Sequence, residues 1–259
     1  MRGSAFFYRH TPRLVFTLRR LARANYEREM ELLDALCDRA ATGIDIGAKV
    51  GMYTYRIRAW SSDVIAFEPI PLFNGMLRAV FHGKRGRIEP YAVSRSKGTA
   101  VLRMPIDHAG THLEFGRSTI DPENPLGNEA IKGIRELEVE TRALDDYELQ
   151  SVGFIKIDVE GHELAVLDGA QKTIAAHRPN LLIECNDEHQ PDATKKLAAW
   201  LAAHQYRAMF LDGTRLRPMD EYDREAHWRA RRIENFICIH ETRTDVADSV
   251  RARAERIKG

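Results

Sequence analysis

The chain has very little cysteine. Cys37, Cys185 and Cys238 are far apart, odd in number and without the paired spacing of a zinc site. A disulfide framework is therefore not expected, and reduced thiols in a reducing compartment are. Long apolar runs are also lacking: no stretch of about 18 apolar residues is available to cross a bilayer. The N-terminus carries arginines and aromatics in place of a signal peptide's apolar core and cleavage site, so a cytoplasmic location is expected. Net charge is close to nil, at +1, which removes any global argument for a nucleic-acid partner. Several catalytic signatures are missing as well. Gly83-Lys84-Arg85 lacks the leading glycine and the following hydroxyl of a P-loop, and neither G-x-S-x-G nor H-E-x-x-H occurs. The 259 residues, 44% hydrophobic and 30% charged, suit one large α/β domain and are too few for two independent ones.

Apolar runs and helical periods alternate along the chain without internal repeats. The spacing of Leu14, Leu18, Leu21, Met30, Leu33 and Leu36 predicts a helical segment over 12–40. The first 30 residues carry Arg2, Arg9, Arg13, Arg19, Arg20, Arg23 and Arg28 against only Glu27 and Glu29. A helix packed beside the sheet with a solvated basic face is expected there, an anionic membrane surface or acidic partner being the alternative. Short strands are expected at 43–47, 64–67, 87–93, 98–104, 136–143, 154–159, 180–184, 206–211 and 236–239, with helices at 51–60, 71–82, 163–177 and 193–204. This alternation implies a mostly parallel sheet covered on both faces. Residues 105–133, rich in glycine and proline and without a sustained period, are expected to form a lid-like insertion.

The most informative stretch is Phe154 to Ala170. On a strand, Ile155, Ile157 and Val159 share one face and Lys156, Asp158 and Glu160 the other. Gly161 frees the chain to turn, and Asp158, Glu160 and His162 would crowd the strand's carboxyl end, where open α/β sheets bind ligands. A turn whose carboxylates cap the next helix and pair with Lys156 is the plainer reading. Asp45-Ile46-Gly47-Ala48-Lys49-Val50-Gly51 follows the first strand, but it lacks the G-x-G-x-x-G of NAD-binding proteins. Glu68 lies 21 residues beyond Gly47, at the tip of the second strand, a position from which a carboxylate accepts hydrogen bonds from ribose hydroxyls. A nucleoside ligand without phosphate recognition follows, and S-adenosylmethionine is the natural candidate.

These residues resemble the FkbM family of S-adenosylmethionine-dependent methyltransferases. The likeness runs over about residues 43–186: Ile44-Asp45-Ile46-Gly47-Ala48 with Gly51, Phe67-Glu68-Pro69 with Pro71, Lys156 to Glu163 with Leu167, Gly169 and Ala170, and Pro179 with Ile183-Glu184. It implies a class I methyltransferase (Rossmann-like) α/β fold, a seven-stranded mostly parallel sheet with helices on both faces. It also implies O-methylation of a hydroxyl on a small molecule, secondary metabolite or glycan. Asp45, Gly47, Ala48, Gly51, Glu68 and Pro69 are expected to hold the cofactor, and Asp158, Glu160 and His162 to be the acid/base set. His162 is the expected base because its ordinary pKa lies near neutrality. Two positions depart from the family pattern: Lys49 stands where Asn is common, and Ile70 where a polar residue is common. A lysine pointing toward a sulfonium would be unfavourable; one facing solvent or the cofactor carboxylate would not.

Other expectations remain open at this level. Asp158 with Asn186-Asp187 could hold magnesium, as in catechol-type enzymes of the same fold, although a solvated loop at 186–189 is favoured. His108, His112, Arg117 and Tyr147 are candidates for the acceptor pocket, and Ala226 to Arg232 is expected to be mainly a solvated helix face. The domain is expected to span 41–242, after a basic helical extension at 1–40 and before a charged helical tail at 243–259. The alternative function is a non-catalytic binding protein on the same scaffold, docked to a partner or membrane surface through its arginine-rich N-terminus.

Overall fold

The structure, a computed structural model, describes residues 2–24, 26–126 and 131–257. Two helices come first, α1 (Arg2–His10) and α2 (Pro12–Leu21), then a 3-10 turn (Arg28–Leu32) that runs into the short α3 (Leu33–Leu36). There follow β1 (Thr42–Ile46), α4 (Met52–Trp60), β2 (Asp63–Phe67), α5 (Pro71–Phe81), β3 (Arg87–Glu89), β4 (Ala92–Val93), β5 (Gly98–Asp107) and β6 (Ile131–Arg142). The second half contains β7 (Val152–Ile157), α6 (Glu163–Asp168), α7 (Gln171–His177), β8 (Asn180–Glu184), α8 (Ala193–Ala203), β9 (Tyr206–Asp212), β10 (Arg215–Pro218), β11 (Asn235–His240) and α9 (Thr244–Ala254).

The main sheet runs β10-β9-β11-β8-β7-β1-β2-β3. Its β8-β7-β1-β2-β3 portion is parallel, and β11 lies antiparallel between β8 and β9. It holds eight strands, because β10 pairs antiparallel on the β9 edge beyond the seven expected. Pro90 divides the expected 87–93 strand. Its first part stays on the main sheet as β3, and its second leaves as β4 to form a separate three-stranded sheet, β4-β6-β5.

Alternation along the strands builds two cores. Ile44, Ile46, Ile65, Ile155 and Ile157 pack with Val166, Leu167, Ile174, Leu197 and Leu201 of α6, α7 and α8. The opposite face buries Val64, Ala66 and Phe154 with Leu33, Leu36, Ile57, Leu77, Val80, Val246 and Val250. Segments expected to be appendages are thereby part of the core: Leu32, Leu33 and Leu36 are fully buried, and α9 buries Val246, Val250 and Ala254. The predicted 12–40 helix is broken near Arg23, whose left-handed φ of 51° takes the chain out of the helical path. The helix predicted over 163–177 divides at Gly169, where an added Cβ would come 2.1 Å from the Ser94 carbonyl oxygen. No helix among the described residues is long and apolar enough to cross a membrane.

The expected lid narrows to 108–130, since 105–107 and 131–133 belong to β5 and β6. Its residues 127–130 lie outside the described residues. The remainder folds back over the main sheet, with Arg103 and Thr119 exchanging backbone hydrogen bonds and Phe115 in edge contact with Phe73 of α5 at 4.9 Å.

Candidate active site

β1 has β2 on one side and β7 on the other, so the order of connection reverses at the β1–β7 junction. Such a reversal leaves a crevice beyond the strand carboxyl ends, and the charged motifs meet there. Gly47 has φ 84°, and a Cβ on it would lie 1.9 Å from the Asp158 carbonyl oxygen. Only glycine lets the two strand ends approach this closely. The next turn is built in the same way: Glu160 takes φ 54° and Gly161 φ 99°, which aims the Glu160 carboxylate back into the crevice. Asn124 of the insertion donates to the Glu160 carbonyl at 2.6 Å, and Glu163 accepts from the Gly161 amide at 2.8 Å. The carboxylates expected to cap the next helix do not do so: α6 has no side-chain cap, Glu163 ties down the Gly161 turn, and Asp158 and Glu160 face the crevice.

Besides a pocket of about 50 Å³ lined by Asp45, Gly47, Ala48, Lys49, Lys156 and Asp158, two cavities open from the junction. The smaller, of about 60 Å³, is a largely apolar slot walled by Gly47, Phe67, Ile70, Val93, Leu102 and the lid residues Phe115 and Ile120, with Glu68 and Pro69 along it. Glu68 accepts backbone hydrogen bonds from Lys49 and Ile70, both at 2.8 Å, which ties the glycine loop to the tip of β2. Burial pushes the Glu68 carboxyl up to about 7, against those two hydrogen bonds. The larger cavity, of about 790 Å³, is strongly polar; Glu27, Glu29, Glu184, Glu188, His189, Trp228, Arg231 and Glu234 contribute to its wall. Asp158, Glu160 and Lys49 line both cavities.

Charges at the junction are closely balanced. The Lys49 ammonium lies 3.6 Å from Glu160 and 3.9 Å from Asp158, and it donates to the Gly116 carbonyl at 3.4 Å. It therefore points inward, bridging the site to the lid. The fully buried Lys156 sits behind, 3.7 Å from Glu184 and 4.0 Å from Asp158. Burial opposes its charge, but Asp158 and Glu184 outweigh that and raise its pKa. Asp158 is held low: burial works against ionisation, and the two lysines overcome it. Glu184 is pushed well up, by burial first and then by repulsion from Asp158. One Asp158 oxygen, Oδ1, is buried without a hydrogen-bond partner, leaving an acceptor for a ligand group.

The expected site residues separate into three groups. Gly47, Glu68, Pro69, Asp158 and Glu160 line the slot. Asp45, Ala48 and Gly51 support it from behind: Asp45 accepts from Thr54 of α4, and Gly51 lies where a Cβ would strike Leu77 of α5. His162 is turned away. Its Nε2 is 2.8 Å from Ser94 Oγ, its Nδ1 is 3.8 Å from Asp121, and it is among the lining residues of neither cavity. His189, from the loop expected to be solvated, reaches Glu160 instead, with Nε2 3.0 Å from Oε2. Burial disfavours its charge, yet the hydrogen bond and charge of Glu160 raise its pKa above 6.5.

Among the acceptor-pocket candidates, Arg117 lines the large cavity, whereas His108 and His112 are exposed and Tyr147 packs edge-on against Phe67. The Ala226–Arg232 stretch contributes more than expected. A π-helical turn (Arg224–Arg229) buries Trp228, whose Nε1 donates to Glu234 at 3.1 Å on the cavity wall.

The residues present do not suit a metal ion at the junction. Oxygens of Asp158, Glu160 and Glu184 do lie within 4.8 Å of one another. Lys49 and Lys156 already balance them, and Asp187, the expected ligand, accepts from the Thr194 amide and hydroxyl at 2.9 Å. No step here needs magnesium, and activity should survive exhaustive chelation. A loss that added magnesium restores would overturn that expectation.

A parallel sheet closed by an antiparallel strand, with a crevice at the β1 switch point, defines the class I methyltransferase fold. The family profile described as the methyltransferase FkbM domain matches residues 45–208. The chain belongs to this FkbM family of S-adenosylmethionine-dependent methyltransferases. It is 25% identical to "Methyltransferase 1" of Beauveria bassiana (strain ARSEF 2860) over 59% of this chain and 68% of that protein. In shape it is similar to the crystal structure of a methyltransferase FkbM from Methylobacillus flagellatus KT, with a TM-score of 0.50 and 17% identity. That likeness covers 78% of this chain and 44% of the other, so the chain spans less than half of that protein's length.

Proposed function

We propose that this chain transfers the methyl group of S-adenosylmethionine to a hydroxyl of a polar small molecule or glycan. The observation that carries the reading is that the nucleoside slot and the polar cavity share Asp158, Glu160 and Lys49, so donor and acceptor would meet at one charged junction. The cofactor supplies an electrophilic methyl on a sulfonium. Glu68 would accept the ribose hydroxyls, Ile70, Val93 and Leu102 would flank the adenine, and Asp158 would face the cationic end. The slot must widen to admit an adenosyl group, since ligand pockets run to about 300 Å³ or more. Phe115 and Ile120 of the insertion form the wall that would have to move, against the Phe73 contact and the Arg103–Thr119 backbone hydrogen bonds.

On the acceptor side, Glu160 would orient His189, and His189 would take the hydroxyl proton as the methyl arrives. The carboxylates on the wall of the large cavity suit a polyhydroxylated acceptor whose hydroxyls donate to them.

Calorimetry with S-adenosylmethionine and S-adenosylhomocysteine tests the donor half directly. Binding of both is expected, and Glu68→Gln should weaken both by about tenfold or more, the scale of a hydrogen bond to a charged group. Failure of the unaltered protein to bind either ligand would defeat the enzyme reading. A non-catalytic scaffold docked through its N-terminus is the second reading, favoured by the Lys49 ammonium at the point where a sulfonium would sit. Binding without turnover across a hydroxylated acceptor panel would support it.

A further inference from the structure

The first 24 residues contain six arginines and no acidic residue. They also hold Phe6, Phe7, Leu14, Leu18 and Leu21, five of the seven large hydrophobic side chains exposed among the described residues. Leu14, Leu18 and Leu21 are 56%, 56% and 69% exposed and stand at i, i+4 and i+7, so they form one stripe along α2. The other side of α2 is fixed: Phe16 is buried against Phe81 of α5, and Arg13 donates to the Ala79 carbonyl at 3.0 Å. Tyr8 anchors α1 edge-on against Phe73 at 5.7 Å. The leucine stripe is therefore held outward by a seated helix, and exposed arginines lie around it: Arg9 on α1, Arg13 and Arg20 on the flank of α2 where they donate to the Ala79 carbonyl and the Tyr55 hydroxyl, and Arg23 just beyond, paired with Glu31.

We propose that α1 and α2 form a docking face for an anionic lipid surface. Apolar side chains in the middle with arginines along the borders is the arrangement of an in-plane interfacial helix: the leucines enter the acyl boundary while guanidinium groups reach the headgroup phosphates. Charge selects this occupant over a second copy of the chain, because pairing the stripe with itself would bring like-charged borders together. The two signals act jointly, as stable peripheral binding requires.

Vesicle co-sedimentation of the full chain tests this, comparing phosphatidylcholine alone with phosphatidylcholine mixed with phosphatidylglycerol, at low and high salt. Binding is expected only to the anionic vesicles and should fall as salt rises. Arg9→Ser with Arg20→Ser should weaken it by about tenfold or more, and Leu14→Ser with Leu18→Ser by a similar factor or more. Leu14 and Leu18 are exposed, so thermal unfolding should be little changed in the leucine double variant, whereas Arg20→Ser also removes the donation to the Tyr55 hydroxyl at 2.8 Å and should lower the unfolding temperature slightly. The salt and lipid dependence of the unaltered chain carries the test even if a variant folds poorly. Equal binding to neutral vesicles, or no binding, would overturn the proposal. So would a concentration-dependent dimer abolished by Leu18→Ser in a chain that ignores vesicles, which would assign the face to self-association.

Discussion

Replacing His189 with alanine should lower turnover by about 10²–10⁴-fold, the usual worth of a positioned general base, while leaving the affinity for S-adenosylmethionine nearly unchanged. His189 lines the acceptor cavity and does not line the nucleoside slot. The same substitution at His162 separates the two histidines, because His162 is held by Ser94 outside both cavities and should affect turnover through packing alone. A large loss of turnover in His162→Ala with none in His189→Ala would return the base to the residue expected from the motif.

The pH profile provides a second readout with a definite sign. His189 can take a proton only when neutral, and Glu160 raises its pKa above 6.5 although burial works the other way. Turnover should therefore rise with pH along an acid limb lying above 6.5. Glu160→Gln keeps the shape but removes the charge, so the His189 pKa falls and the limb moves to lower pH. The plateau should fall as well, since a less basic imidazole accelerates proton transfer less. An acid limb unmoved by Glu160→Gln would mean that the titrating group is another one, and Glu184 at the same junction, whose pKa burial raises, is the next to test.

How much of this was legible in the sequence follows from the range of the forces involved. The parallel core was readable because buried β-strands appear as compact apolar runs whatever they pair with, as at Val64–Phe67 and Leu181–Ile183. The placement of Gly47, Glu68, Asp158 and Glu160 at the crevice was readable because it follows from position at a strand's end. Three features depended on partners distant in the chain. Pro90 marked a break without showing that β4 would leave the main sheet to pair with β6. The orientation of His162 is decided by Ser94 and Asp121, from separate segments, and a period-two argument stops at Gly161, where the strand does. His189 gave a local signal, a histidine just beyond the β8 tip, but its significance rests on Glu160 being 29 residues earlier and 3.0 Å away. The Trp228 turn was obscured for the same reason: its arginine-rich sequence looks solvated until Glu234 closes on the indole.

Lys49→Asn should tighten S-adenosylmethionine by about tenfold relative to S-adenosylhomocysteine, because two unit charges about 5 Å apart at an effective dielectric near 20 repel by roughly 3 kcal/mol, an upper figure for a partly exposed group. The two ligands differ in the sulfonium charge and its methyl, so their ratio isolates that repulsion from changes in slot shape. Lys49 now satisfies Asp158 and Glu160, and with Asn those carboxylates would be free to stabilise the incoming cation. Turnover should move the opposite way. Charge leaves the sulfonium as the methyl transfers, so a nearby ammonium raises the energy of the bound ground state more than that of the transition state. Removing it deepens the ground state and should lower kcat as KM for the cofactor falls. Losing the Lys49 contact to the Gly116 carbonyl should also loosen the lid over the slot, read as faster amide exchange at Phe115–Arg117. If both ligands tighten equally and kcat is unchanged, Lys49 lies away from the sulfonium and acts only as a tether for the lid.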